Sequence, residues 1–160
     1  MDETTDSPDA PRVAEQPEQL TAVVAGTVAA GELRDFFDRA FGDLGRVMAE
    51  GAFQPSGPPL ALYRGVPAET VHLEVGFPVR GELAPSGSVL ASGLPATRVV
   101  TCVHRGDYDS LGESWRQLAD WAGRRELSLG ELMWEVYVTE PKPGDDPSGM
   151  VTELYWAVRE

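Results

Sequence analysis

The sequence has one cysteine, two histidines, and only 13 basic side chains against 26 acidic ones. Each scarcity excludes something. A lone Cys102 allows no intramolecular disulfide and no thiolate metal site. His72 and His104 by themselves cannot build a multi-histidine metal centre, so neither a metal nor a cofactor is expected. The glycines fall into neither the GxxxxGK nor the GxGxxG spacing, so no phosphate cradle is encoded. A formal net charge of -13 and a pI of about 4.5 argue against direct nucleic-acid binding, which needs clustered Lys and Arg. The same charge argues against attraction to anionic lipid. No apolar run reaches the length of a membrane span, and the N-terminus lacks the basic and then apolar profile of a signal peptide. The expectation is a cytoplasmic protein with no membrane contact.

What is present is a core and a tail. Forty-two per cent of the residues are hydrophobic, enough for a real core, and 160 residues suit one domain of ordinary size or two small half-domains packed together. Residues 1–19 are rich in Pro, Asp and Glu and carry six acidic side chains against Arg12. Such a stretch buries little and is expected to be a disordered tail. Residues 20–160 are expected to fold. LTAVVAGTVAA (Leu20 to Ala30) reads as a strand. The following segment, Gly31 to Gly51, reads as an amphipathic helix with the stripe Leu33, Phe37, Phe41, Leu44 and Met48 and with Gly51 at its C-terminal cap. PLALYRG and VHLEVGFPV (Val71 to Val79) read as strands around a turn at Pro67, and Ser86 to Pro95 as a weaker strand or loop. The order then recurs: a strand from Ala96 to Gly106 and a helix from Asp109 to Arg125 with the stripe Leu111, Trp115, Leu118 and Ala122. Strands at Glu131 to Val138 and Val151 to Arg159 follow, flanking a turn-rich loop at 141–149. Ser110 and Glu113 fit a capping box.

Two halves in β-α-β-β order point to an internal duplication, with repeats at about 20–95 and 96–160. Tyr63 aligns with Tyr137 at the same offset that aligns the helices, and HLEVGFPV with VTELYWAV places Glu74 opposite Glu153. The expected fold is α+β: duplicated β-α-β-β modules with pseudo-twofold symmetry, antiparallel sheets with helices on one face, and a ligand cleft between the halves. Gly51 to Pro59 and the 141–149 loop read equally as covers for that cleft or as ordinary surface loops.

One strand poses a question. ELMWEVYVTEP (Glu131 to Pro141) is strongly apolar yet carries Glu135 at its centre. Alternation puts Met133, Glu135 and Tyr137 on one face and Leu132, Trp134, Val136 and Val138 on the other. The second set suits a covering helix. Glu135 then faces either solvent, as in any one-sided strand, or a cleft shared with Tyr137 and Tyr63. A carboxylate ringed by aromatics suits a lipophilic cation through charge neutralisation, cation–π attraction and apolar burial. Cys102 and His104 share a strand face, but no third group orients them, so they read as a buried cysteine beside a partly exposed histidine.

LEVGFPV, HRGDYDSL (His104 to Leu111), WEVYVTEP and TELYWAV occur in the order found in the GyrI-like small-molecule-binding family, which this chain resembles from about Leu20 onward. That family includes the effector-binding domains of multidrug-responsive transcription regulators. The resemblance implies a ligand cleft between the two modules, with Glu135 and Tyr137 facing the ligand and with Phe77 and Tyr108 near it. Asp107 stands where family members have proline, which changes the loop before the second helix. The tail before Leu20 is too short and acidic for a helix-turn-helix, so a stand-alone form is expected.

The principal function expected is non-catalytic binding of bulky hydrophobic or cationic small molecules. Glu135 would be the counter-charge, Tyr63, Tyr137, Phe77, Tyr108 and Trp134 the walls, and Glu153 a further site candidate, although alternation sets Trp134 on the opposite face. A first alternative is hydrolysis of strained cyclopropane-type electrophiles, with Glu135 and Glu153 as the catalytic pair. A second is a protein partner, DNA gyrase, met through the acidic surface.

Overall fold

The runs rich in Val, Leu and aromatic side chains form strands, and the two segments of helical periodicity form helices. The computed structural model describes residues 9–65, 68–81, 87–139 and 149–159. In chain order the elements are β1 (Arg12–Gln16), β2 (Gln19–Ala29), α1 (Leu33–Ala49), β3 (Leu60–Arg64), β4 (Thr70–Pro78), β5 (Leu90–Leu94), β6 (Thr97–Arg105), α2 (Leu111–Arg124), β7 (Leu129–Tyr137) and β8 (Val151–Val158). The turn at Pro67, all of the 141–149 loop but Gly149, and residues 1–8 of the expected tail lie outside the described residues.

The protein is α+β, and its eight strands form one antiparallel sheet in the order β1-β6-β8-β7-β3-β4-β2-β5. This corrects the expectation of two sheets side by side. β3 and β7 pair directly, with Ala61 opposite Glu135 and Tyr63 opposite Met133. Each is apolar on both faces, and pairing them leaves no interior edge unbonded. The tail expectation also needs correction at Arg12–Gln16, which pair with β6, Val13 opposite Val100. Composition measures what a segment can bury, whereas β1 is held by the backbone groups of the β6 edge. Asp9 to Arg105 and Glu15 to Arg98 add exposed ion pairs, which contribute little to stability.

The sheet is strongly curled, and chain length requires it. Five strands separate β5 from β6, about 29 Å across a flat sheet. Yet only Pro95 and Ala96 link Leu94 to Thr97, a reach of about 11 Å. The sheet therefore bends until its ends approach. Leu94 and Val99 from those ends join Leu60, Leu62, Trp134 and Ala157 in one buried cluster. That face of the sheet is packed on itself without a helix.

Both helices lie over the other face. α1 buries Phe36, Ala40, Leu44 and Val47. The Phe36 ring rests against Gly26, where a Cβ would lie 2.4 Å from it. Leu33, Phe37 and Phe41 of the expected core stripe are only partly covered, because the helix is rotated to bury the Phe36 side instead. α2 buries Leu111, Leu118 and Ala122 and leaves Trp115 partly covered. Gly51, at φ 85°, follows the last residue of α1 as a glycine cap should. At the start of α2 the expected capping box is replaced. Ser110 makes no side-chain cap, and Asp107 instead accepts from its backbone N–H at 3.1 Å and from its hydroxyl at 2.9 Å.

Gly76 marks the tightest point of the sheet, where a Cβ would sit 1.8 Å from the Ala22 carbonyl oxygen. Gly76→Ala should cost about 3 kcal/mol, as overpacking against backbone does. Gly45→Ala, on α1 with nothing within 4 Å, should gain about 0.5–1 kcal/mol. Urea unfolding of both variants checks the pair.

Candidate functional site

The helix-facing side of β7 carries Met133, Glu135 and Tyr137, the reverse of the expected assignment. The other side, with Leu132, Trp134 and Val136, faces into the curl. Strand alternation was read correctly, but the sheet's packing on itself covers the face that was matched to a helix. Trp134 is fully buried there and stacks on Tyr155 at 5.5 Å and 11°.

Glu135 is only 6% exposed. Tyr137 donates its hydroxyl to Oε1 at 2.6 Å, Tyr63 donates to the same oxygen at 3.4 Å, and Trp115 Nε1–H donates to Oε2 at 2.8 Å. These donors come from β7, β3 and α2. No Lys or Arg among the described residues forms an ion pair with this carboxylate. Burial raises its pKa, while the Tyr137, Trp115 and Tyr63 hydrogen bonds and the charge of His104 pull it back only in part. Burial, followed by the negative charge of Glu135, also raises the pKa of Tyr137, Tyr63 and Tyr108.

Around this carboxylate lies a cavity of about 1330 Å³, at or above the usual size of small-molecule sites, roughly 300–1,000 Å³. Leu33, Phe37 and Phe41 of α1 form one wall, and Leu111, Trp115 and Ala119 of α2 another. Tyr63, Met133, Glu135, Tyr137 and Trp156 form the floor. The rings lock one another edge to face. Phe37 meets Phe41 at 6.3 Å and Tyr137 at 6.5 Å, Phe41 meets Phe77 at 6.0 Å, and Tyr108 meets Tyr137 at 5.7 Å. Trp115 stands edge-on to Trp156 at 5.5 Å, and Trp156 Nε1–H is anchored on the Gly130 carbonyl at 2.9 Å. Pro55, Gly57, Pro58 and Pro59, from the segment read as either cover or surface loop, complete the lining.

Of the residues named from sequence, Glu135, Tyr137, Tyr63, Phe77 and Tyr108 line one cavity. Trp134 does not, and neither does Glu153, which lies on the Trp134 side of the sheet and accepts from the Tyr155 hydroxyl at 2.7 Å. The Glu135/Glu153 pair is thus split across the sheet. Glu74 is held by Arg64 at 2.9 Å and Ser92 at 2.7 Å. Trp115, Phe37 and Phe41 had been read as helix core. A partly covered aromatic stripe on each helix was the only available signal of a wall.

His104 is buried rather than partly exposed, and both ring nitrogens are engaged, Nδ1 with Ser114 Oγ at 2.7 Å and Nε2 with the Asp107 carbonyl at 2.8 Å. It ties β6 to the start of α2. Burial pushes the Cys102 thiol up to about 11, which leaves it un-ionised and unsuited to nucleophilic work.

Comparison with known proteins agrees with this architecture. The family model described as GyrI-like small molecule binding domain matches residues 10–159, and the chain belongs to that family. The C-terminal domain of EcmrR superposes with a TM-score of 0.78 at 19% identity, covering 94% of this chain and 97% of that one. EcmrR in its DNA complex gives a TM-score of 0.80 at 18% identity and 94% coverage of this chain, which spans 57% of the length of that one. SAV2435 bound to tetraphenylphosphonium gives 0.69 at 9% identity, with 93% of each chain covered. A hydrolase from Listeria innocua gives 0.65 at 12%, covering 98% and 95%. The search of curated proteins gave no match. Among the described residues no helix is long and apolar enough to cross a membrane.

The raised pKa has a consequence for stability. Glu135 holds its proton more tightly folded than unfolded. Its contribution is therefore fully present below 4.5, the ordinary glutamate value, and is lost as pH rises through the folded value. Urea unfolding of wild type and Glu135→Gln across this range should show the difference moving in the variant's favour as pH rises. A difference flat in pH would mean that the carboxylate is not desolvated.

Proposed function

We propose that this chain binds bulky lipophilic cations, without transforming them, in the cavity between its two helices. The observation that carries this reading is Glu135, a buried carboxylate with no cationic side chain paired to it among the described residues and with aromatic rings around it. A buried charge without a partner is costly, and an arriving cation offsets that cost. The rings supply apolar contact and cation–π attraction. The relative bound to tetraphenylphosphonium supports the same ligand class through a shared fold.

Titration with tetraphenylphosphonium tests this. Saturable binding is expected, weakened about tenfold or more by Glu135→Gln. Glu74→Gln and Glu153→Gln, on the far face, should leave it unchanged. Equal binding by Glu135→Gln would remove the reading.

Hydrolysis of a strained electrophile is the second reading. Its two-carboxylate form has no geometric support, since Glu153 is across the sheet. A single-acid form draws on the raised pKa of Glu135, the direction a general acid needs. Mass spectrometry decides: an electrophile consumed by wild type and left intact by Glu135→Gln would replace the binder with an enzyme.

A further inference from the structure

The hydrogen bonds of Glu135 say more about the ligand than its charge does. A carboxylate has about four acceptor positions. Tyr137 and Tyr63 take both positions on Oε1, and Trp115 takes one on Oε2. One position remains on a group that is itself 6% exposed. A cation entering the cavity meets a carboxyl group with little acceptor capacity.

We infer that the site selects cations whose charge bears no N–H, such as quaternary ammonium or phosphonium centres, over primary and secondary ammonium ions of equal size, whose two or three N–H groups exceed the one position left, and that Trp115 sets this preference. The inference rests on the cation-binding reading above. An N–H brought into the cavity gives up its water and must find an acceptor, and a donor left unmatched there loses affinity. A quaternary centre gives up no hydrogen bond on entry. It needs only proximity to the charge and ring faces against its alkyl groups, and both are present.

The role of Trp115 follows from its position. Its indole N–H alone occupies Oε2, and it is fixed by the edge-to-face contact with Trp156. Replacing it by phenylalanine keeps an aromatic ring in the wall and frees one acceptor position. Tyr137→Phe does the same at Oε1.

The test uses two isomeric cations, so that charge and carbon count are matched: protonated N-benzyloctylamine at pH 7, whose two N–H groups exceed the one free acceptor position, and benzyldimethylhexylammonium. Each is titrated by displacement of tetraphenylphosphonium from the full chain. In wild type the quaternary ion should bind about tenfold tighter or more. In Trp115→Phe, and separately in Tyr137→Phe, the ratio should fall toward about one because the amine gains affinity. Wild type that binds the amine as tightly as the quaternary ion overturns the inference, and would mean that the phenol oxygens accept the N–H. So does a quaternary ion that fails to displace, or variants that weaken both ions equally with the ratio unchanged, the sign of a purely structural tryptophan. If tetraphenylphosphonium itself does not bind wild type, the cation-binding reading has failed rather than its refinement.

Discussion

Glu135 is held by hydroxyls from β3 and β7 and by an indole from α2, so the site exists only when the two halves of the sheet are joined and the second helix is docked. The energetics of that contact set the character of the cavity. Burying a carboxylate costs several kcal/mol. Hydrogen bonds to a charged group return about 1.5–3 kcal/mol each, and the Tyr63 contact, at 3.4 Å, is long enough to return less. The hydrogen bonds offset only part of that cost, so the carboxyl group holds its proton more tightly than a free one. A site in that state is organised before any ligand arrives.

The curl of the sheet makes this arrangement affordable in structural terms. A flat sheet would need helices on both faces, or one face in water. Here the two-residue link between β5 and β6 folds one face onto itself, where Trp134, Leu60, Leu62 and Leu94 form their own core. The helices are then needed on one side only. They bury Phe36, Ala40 and Leu44 of α1 and Leu118 and Ala122 of α2 at their bases, and leave Phe37, Phe41 and Trp115 to line the space between them. An aromatic surface of this extent is normally covered in a soluble domain. Its exposure within a concave site, with the rings locked edge to face, is consistent with an apolar guest.

Much of this was legible in the sequence, and the failures have physical causes. Strand and helix positions followed from periodicity, and five of the seven proposed site residues meet in the cavity. β1 was missed because a short polar segment is held by backbone pairing, which composition does not register. The face of β7 was reversed because strand alternation defines two sets of residues without saying which element covers each. That depends on the five strands that separate β5 from β6, a property of topology. Trp115 was taken for core because a helix that lines a cavity and a helix that covers a sheet have the same period. Glu153, aligned with Glu74 and paired with Glu135 on the sequence alone, lies with Glu74 on the self-packed side, where hydrogen bonds to Tyr155 or Arg64 satisfy them.

Arg34 and Arg116 also line the cavity, along with Asp38, and the positive charge of the two arginines opposes entry of a cation. Magnitudes resolve the conflict. Both side chains are exposed, Arg116 being 68% so and paired loosely with Glu113 at 3.4 Å. Two exposed charges about 10 Å apart in water interact by about 0.4 kcal/mol before screening, and salt at physiological strength removes much of that within about 8 Å. A cation lodged about 5 Å from a buried carboxylate gains about 3 kcal/mol at an effective dielectric of about 20. The deep negative charge therefore outweighs the shallow positive ones by severalfold. In the proposed binder the arginines bear on the approach, while Glu135 governs the bound state.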